Sequence, residues 1–467
     1  MTLQSFRETL NVMNPTEYLR AGLIGEGMMI PGESGDNPMV YADYVASGRA
    51  LMQVEDFITH KVLPFYANSH TDTSYTGAYI TKLREDARAE IARLTNAVDD
   101  CSVIFAGSGA TAGLNRLVAL TGIEAAQNPV VFLGPYEHHS NILPWRESKA
   151  KVVEIPEAAG GGPDLEALEC ALLEHQDADL KIGTFSAASN VTGVITDTVP
   201  VTRILKSHGA VSIWDYAGGA PYLSIDMGSG TDAEKDAVIL SAHKFPGGPG
   251  ASGVLIVRDS AVKLDIPSWP GGGTVEFVSP WEQDYTSDIA TREEAGTPNV
   301  IGDIRAALVF MVKDAIGQDT ITAREHELNA LAFNAWSGNP HLTLLGVEKP
   351  SRLPIFSFLV KDAAGQQVDP QLFTRLLSDR YGIQARGGCA CAGPYGHRLL
   401  GIDRATSDRL RAEILAGNEL AKPGWVRLNF SYLMDNATAM FIIDSVNELS
   451  ATLVAEINAF GSQQAQG

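Results

Sequence analysis

Cysteine is scarce, with four in 467 residues, at positions 101, 170, 389 and 391. So few thiols over so long a chain cannot form a disulfide framework, and they point to a reducing compartment. Positive charge is also short: 35 Lys and Arg stand against 56 Asp and Glu, a formal net charge of −21 at neutral pH. That balance excludes the basic surfaces that nucleic acids or anionic membranes require. No apolar run approaches the roughly 18 residues of a membrane span. The opening "MTLQSFRETLNVMNPTEYLR" mixes charges among its apolar residues, so a cytoplasmic location is expected. Internal repeats and low-complexity tracts are missing too. What remains is a chain with 45% hydrophobic residues, long enough for a large core and two domains.

The middle of the chain alternates short apolar runs with amphipathic patterns. "DCSVIFAG", "NPVVFLGP", "LKIGTFSAA", "GAVSIWDYA", "DAVILSAHK" and "SGVLIVRD" read as strands. "GATAGLNRLVALTG", "GPDLEALECALLEHQ" and "PVTRILKSHG" read as the helices between them. This is an α/β pattern with a mostly parallel central sheet flanked by helices. We place it at residues 41–304. From 305 to 467 a long helical stretch, the strand "RLPIFSFLV", another helix and the strands "GIQAR" and "GWVRLNF" predict a smaller α+β domain, with the N-terminal segment 1–40 packing against it.

Ligands of open parallel sheets collect beyond the carboxyl ends of the strands. Those ends carry Asn190, Asp215, Ser241, His243 and Lys244, and "PYEHHSN" brings His138 and His139 after another strand. "VIFAGSGATAGLN" is strand, glycine-rich turn and helix, and a helix N-terminus of small residues holds phosphate. Its GxGxxxG spacing is not the dinucleotide fingerprint, and alone it could be a tight turn without a ligand. Pyridoxal 5'-phosphate needs a lysine for its Schiff base, a carboxylate for its ring nitrogen and a phosphate cradle, and all three are present. No metal is expected, because a C-x-C pair supplies only two ligands and Cys101 and Cys170 fall in a strand and a helix.

The motifs "EHHSNILPW", "SNVTG", "SAHKFPGGPGASGVL" and "EEAGTPN" together resemble the class V aminotransferase family of fold-type I pyridoxal-phosphate enzymes, in its cysteine desulfurase and selenocysteine lyase branch. The resemblance implies Lys244 as the Schiff-base lysine, Asp215 at the ring nitrogen, His138 stacked on the ring and Asn190 at its phenolic oxygen. It implies Gly109, Ala110, Thr111, Ser241 and His243 around the phosphate. Thr297 would reach the phosphate of a second subunit in a homodimer with shared sites. Desulfurases of the family carry a glutamine three residues after the aspartate, and this chain has Gly218 there.

The segment "GIQARGGCACAGPYGHRLLGI" sets Arg386, Cys389 and Cys391 in a glycine-rich loop, and "GWVRLNF" puts Arg427 on a strand. A guanidinium fork suits a carboxylate, and by the resemblance Arg427 takes that of the substrate. The family's loop pattern, arginine followed five residues later by the catalytic cysteine, selects Cys391. The reaction implied removes sulfur from L-cysteine, giving alanine and an enzyme persulfide for a sulfur-acceptor protein. A C–S lyase, an aminotransferase or an epimerase on the same scaffold stays open, as does a non-catalytic binding protein of this fold. So do two buried, unreactive thiols at 389 and 391.

Overall fold

Seven strands form the main sheet: β1 (Cys101–Phe105), β2 (Pro129–Leu133), β3 (Lys151–Glu154), β4 (Leu180–Ser186), β5 (Val211–Asp215), β6 (Ala237–Ser241) and β7 (Gly253–Arg258), in the order β1-β7-β6-β5-β4-β2-β3. β3, β2, β4, β5 and β6 run parallel to one another, and β7 is antiparallel to both β6 and β1. The central strands β2 and β6 are buried throughout, which explains their unbroken apolar runs. β3 eluded the sequence pattern because it is a four-residue edge strand with exposed Lys151 and Glu154 at its ends.

The computed structural model describes residues 2–69, 71–347, 349–362 and 365–464. It divides into two compact units: residues 1–22, 47–188 and 195–318 form the first, and residues 23–46, 189–194 and 319–467 the second. The N-terminal forty residues are thus split. Phe6, Leu10 and Leu19 are buried in the first unit, with Phe6 edge-on to Phe57. Val40–Tyr41 instead pairs in parallel with Ile383–Gln384 of the second. The long helical stretch is two helices, Val300–Ile316 and Gln318–Trp336. The former is apolar around most of its circumference and belongs to the first unit, so the division falls at 318 rather than 304.

Local signals start the helices of the first unit. Asp164 accepts from Ala167 N–H ahead of Leu165–Glu174, and Asp197 from Val199 N–H ahead of Thr198–Ser207. The helix Ala110–Leu120 begins differently, with Gly109 at its cap position and no side-chain cap. Gly107 turns the chain at φ 58°. Gly113 lets the helix lie against the sheet, since a Cβ there would sit 3.1 Å from Ile239 Cγ2.

In the second unit, β8 (Leu342–Leu344), β9 (Ile355–Val360), β10 (Arg386–Gly388) and β11 (Trp425–Asn429) form an antiparallel sheet ordered β8-β9-β11-β10. Its core gathers Trp336, Phe356, Phe358, Phe430 and Ile443. The "GIQAR" run serves two sheets, because Ile383–Gln384 pairs with Val40–Tyr41 and Arg386–Gly388 with β11.

A buried ion cluster ties the first unit together beside β1. Arg84 Nε donates to Asp303 Oδ2 at 2.7 Å and its Nη2 pairs with Glu294, which also accepts from Arg88 at 2.9 Å and from Phe105 N–H at 2.6 Å. Burial works against the Glu294 charge, but Arg88 and Arg84 overcome it and hold the carboxyl below its ordinary value. Removing one member of such a set strands charge in the core. Arg84→Met is therefore expected to lower unfolding free energy by about 3–5 kcal/mol. Urea titration would show this as a lower midpoint with unchanged slope.

Candidate active site

In the first unit, β5 ends at Asp215 and β6 at Ser241, and their parallel pairing sets Asp215 opposite Ile239. Asp215 is buried and accepts from Ala217 N–H at 2.7 Å. Burial pushes its carboxyl up, while that N–H and the charge of Lys244 pull it back. Lys244 closes the short turn Ala242–Lys244 that follows β6. One residue earlier, His243 is pushed down to about 4 by burial and by the Lys244 charge, so it is neutral at pH 7.

The uncapped N-terminus of Ala110–Leu120 meets the end of β6. Ala110 N–H donates to Ser241 Oγ at 2.9 Å. A Cβ at Gly109 would lie 3.2 Å from that oxygen and 3.6 Å from His243 Nε2. Thr111 and Ser140 share a hydroxyl hydrogen bond of 2.7 Å, and Ser140 N–H donates to His138 Nδ1 at 3.1 Å. Backbone N–H groups, hydroxyls and a neutral imidazole thus gather at one helix start, the donor set that suits a phosphate. Thr297, beyond Glu294, is exposed.

Glu137 is the residue that sequence reasoning passed over. It is buried, accepts from Ser186 N–H and Ser186 Oγ at 2.8 Å each, and pairs with Asn141. Asn141 Oδ1 in turn accepts from Thr184 Oγ1 at 2.7 Å and Trp145 Nε1 at 3.1 Å. The network fastens the loop bearing His138 to β4, whose Ser186 is paired with Asp215 across the ladder. The signal was there in "YEHHSN": an acid inside a run leaving a buried strand needs partners.

In the second unit, Arg427 on β11 is buried and gives Nη2 to Asp43 Oδ1 at 2.9 Å and Nη1 to Asn190 O at 3.1 Å. Arg386 reaches the other oxygen of the same carboxylate, at 3.1 Å from Nε and 3.0 Å from Nη2. Burial lowers the Arg427 pKa against the opposing pull of Asp43. Asp43, in the run "VYADYVASGRA", is the anion that both arginines share. Asn190 Nδ2 donates to Ala390 O at 2.8 Å, between the exposed Cys389 and Cys391. Lys244, Asp215, His138, Gly109, Ala110, Thr111, Ser241 and His243 thus lie together in the first unit, and Asn190, Arg386, Cys391 and Arg427 together in the second.

The aminotransferase class-V model matches residues 40–418. The chain belongs to that family. A probable cysteine desulfurase of Vibrio cholerae is 30% identical over 366 residues, covering 77% of this chain and 85% of the relative. One from Halalkalibacterium halodurans is 28% identical over 367 residues, covering 78% and 86%. Among solved structures, the apo cysteine desulfurase of Thermococcus onnurineus superposes with TM-score 0.73 at 24% identity, covering 89% of this chain and 95% of that one. The class V fold, with its mostly parallel sheet between helices, is thereby established. Among the described residues, no group of three or more His, Cys, Asp or Glu could hold a metal, and no helix is long and apolar enough to cross a membrane.

Burial and the neighbouring Asp215 push the Glu137 carboxyl up to about 8. A group protonated in the folded state and ionised in the unfolded one draws stability down as pH rises. The fall begins near the ordinary glutamate value of about 4.3 and ends near the folded value, at up to ~1.4 kcal/mol per pH unit. Glu137→Gln is expected to remove this slope from the pH dependence of unfolding, measured on cofactor-free protein.

Proposed function

We propose that this class V enzyme is a pyridoxal-phosphate-dependent cysteine desulfurase, converting L-cysteine to alanine and leaving the sulfur on Cys391. The observation that carries this reading is the exposed Cys391, five residues after Arg386, in the unit that holds the Arg427–Asp43–Arg386 cluster. The curated relatives named probable cysteine desulfurases support it.

The first unit fits the cofactor on its own geometry. Gly109 leaves open the space that a Cβ would fill beside Ser241 and His243, and Ala110 N–H, Ser241 and Thr111 surround it. These residues would hold the phosphate, Asp215 would keep a proton on the ring nitrogen, and His138 would cover the ring face. When bound, the cofactor supplies an electron sink for charge at the substrate's Cα. Lys244 would carry the cofactor, and its amine would hold and move the proton at Cα. Gly218 stands where the family's glutamine would be, so that hydrogen bond to the ring would have to come from another side chain or be absent.

Two arginines around one carboxylate leave a net positive charge, and Arg427 with Arg386 would bind the substrate carboxylate there. The Cys391 thiolate attacks the substrate Sγ. The Sγ–Sγ bond forms, the Cβ–Sγ bond breaks, and Cβ takes up a proton as alanine leaves. Thr297, exposed on its loop, is available to the phosphate of a second copy in a homodimer.

A single turnover with L-cysteine is expected to yield alanine, by way of sulfur carried on Cys391, and Cys391→Ala is expected to abolish both. Pyruvate and ammonia would identify a C–S lyase, and cofactor left in its amine form an aminotransferase. Arg427→Gln removes charged hydrogen bonds of about 1.5–3 kcal/mol, so KM for L-cysteine should rise by roughly 10- to 100-fold. Steady-state kinetics on the loaded enzyme checks this.

A further inference from the structure

The loop after β10 carries a second thiol that this mechanism does not use. Cys389 and Cys391 are both free and exposed, whereas Ala390 and Ala392, the residues alternating with them, are buried. The backbone is fixed at the alanines and the thiols emerge on the solvent side. Asn190 Nδ2 holds Ala390 O at 2.8 Å. The root of the loop is clamped as well: a Cβ at Gly387 would lie 2.4 Å from Pro370 O, and one at Gly424 would lie 2.6 Å from Gly388 Cα.

Residues two apart can be separated by at most about 7 Å in a fully extended chain. Disulfides need Cα atoms at about 4.4–6.8 Å. Any departure of Ala390 from the fully extended form therefore brings the two Cα atoms within that range, and Cys391 itself has φ 54°, one of two non-glycine residues with positive φ among those described. The spacing of five residues from Arg386 assigns the nucleophile to Cys391, as in the desulfurase reading, and leaves Cys389 as its neighbour.

We propose that Cys389 is the resolving thiol for sulfur carried on Cys391. This rests on the desulfurase reading for the origin of that sulfur. The Cys389 thiolate attacks the Sγ of the Cys391 persulfide, the bond between that Sγ and the outer sulfur breaks, and the outer sulfur leaves as hydrosulfide. A Cys389–Cys391 disulfide forms. The persulfide is the oxidant, its outer sulfur takes the electron pair, and a small-molecule or protein dithiol then reduces the disulfide and resets the loop. In reducing surroundings the chain would thus release sulfide without an acceptor protein, while an acceptor thiol would compete with Cys389 for the persulfide.

The test uses the full-length protein in two arms, each quenched with an alkylating agent and read by peptide mass spectrometry. In the first, loaded enzyme receives one equivalent of L-cysteine without oxygen or reductant. Alanine and sulfide are expected in equal amounts, with a loop peptide lacking two hydrogens. Cys389→Ser should keep an extra sulfur atom on Cys391 and lose sulfide release. In the second arm, cofactor-free protein is exposed briefly to glutathione persulfide and the excess removed. The same disulfide and sulfide are expected, again lost in Cys389→Ser. A wild-type persulfide that persists on Cys391 as it does in Cys389→Ser overturns the proposal while leaving the desulfurase reading intact. Disulfide and sulfide in the second arm with no alanine in the first would overturn the desulfurase reading and uphold the resolving thiol.

Discussion

The parallel pairing of β5 with β6 is the constraint from which the first unit's chemistry follows. With Asp215 opposite Ile239 and Tyr216 N–H bonded to Ile239 O at 2.7 Å, neither strand can slip without turning the side chains of its two packed faces to the opposite sides of the sheet. The register brings the Asp215 carboxylate and the turn bearing Lys244 to one end of the sheet. It also delivers Ser241 to the bare start of the helix Ala110–Leu120. One ladder thus places a carboxylate, an amine and a hydroxyl-backed cradle, and the apolar side chains of β6 pack around it.

Two carboxyls lie close together in that unit, and burial raises both, against different partners. Asp215 is offered a backbone N–H and the Lys244 charge, both of which favour its ionised form. Glu137 has Asn141 and Ser186 but no cation, and Asp215 adds repulsion. Of the two, Asp215 is the one that faces a cation, and Glu137 is held among neutral hydrogen-bond partners.

The main sheet was legible because buried parallel strands read as continuous apolar runs, and six of its seven were visible that way. β3 was not, since half its side chains are exposed. The unit boundary was misplaced because periodicity reports that Val300–Ile316 is a buried helix and cannot report which core buries it. Among site residues, those at strand ends stood out by position. Glu137 and Asp43 did not, because their significance lies in partners remote in sequence: Ser186 is 49 residues from Glu137, and Arg427 is 384 from Asp43. A single sequence displays charges but not which of them share a partner.

That sharing decides what the second unit can recognise. A lone Arg427–Asp43 pair would be neutral and offer little to an anion. Arg386 adds a second positive charge to the same carboxylate, so the cluster is left with one in excess. Arg386 is half-exposed, and water screens its share. Arg427 is buried, where a charge acts at low dielectric. The excess is therefore felt most strongly at the buried fork, the position suited to a carboxylate that arrives without its own cation. Any carboxylate held there would draw on this one source of positive potential, so a chain lacking Arg427 would lose the buried half of it and leave Asp43 with only the half-exposed Arg386.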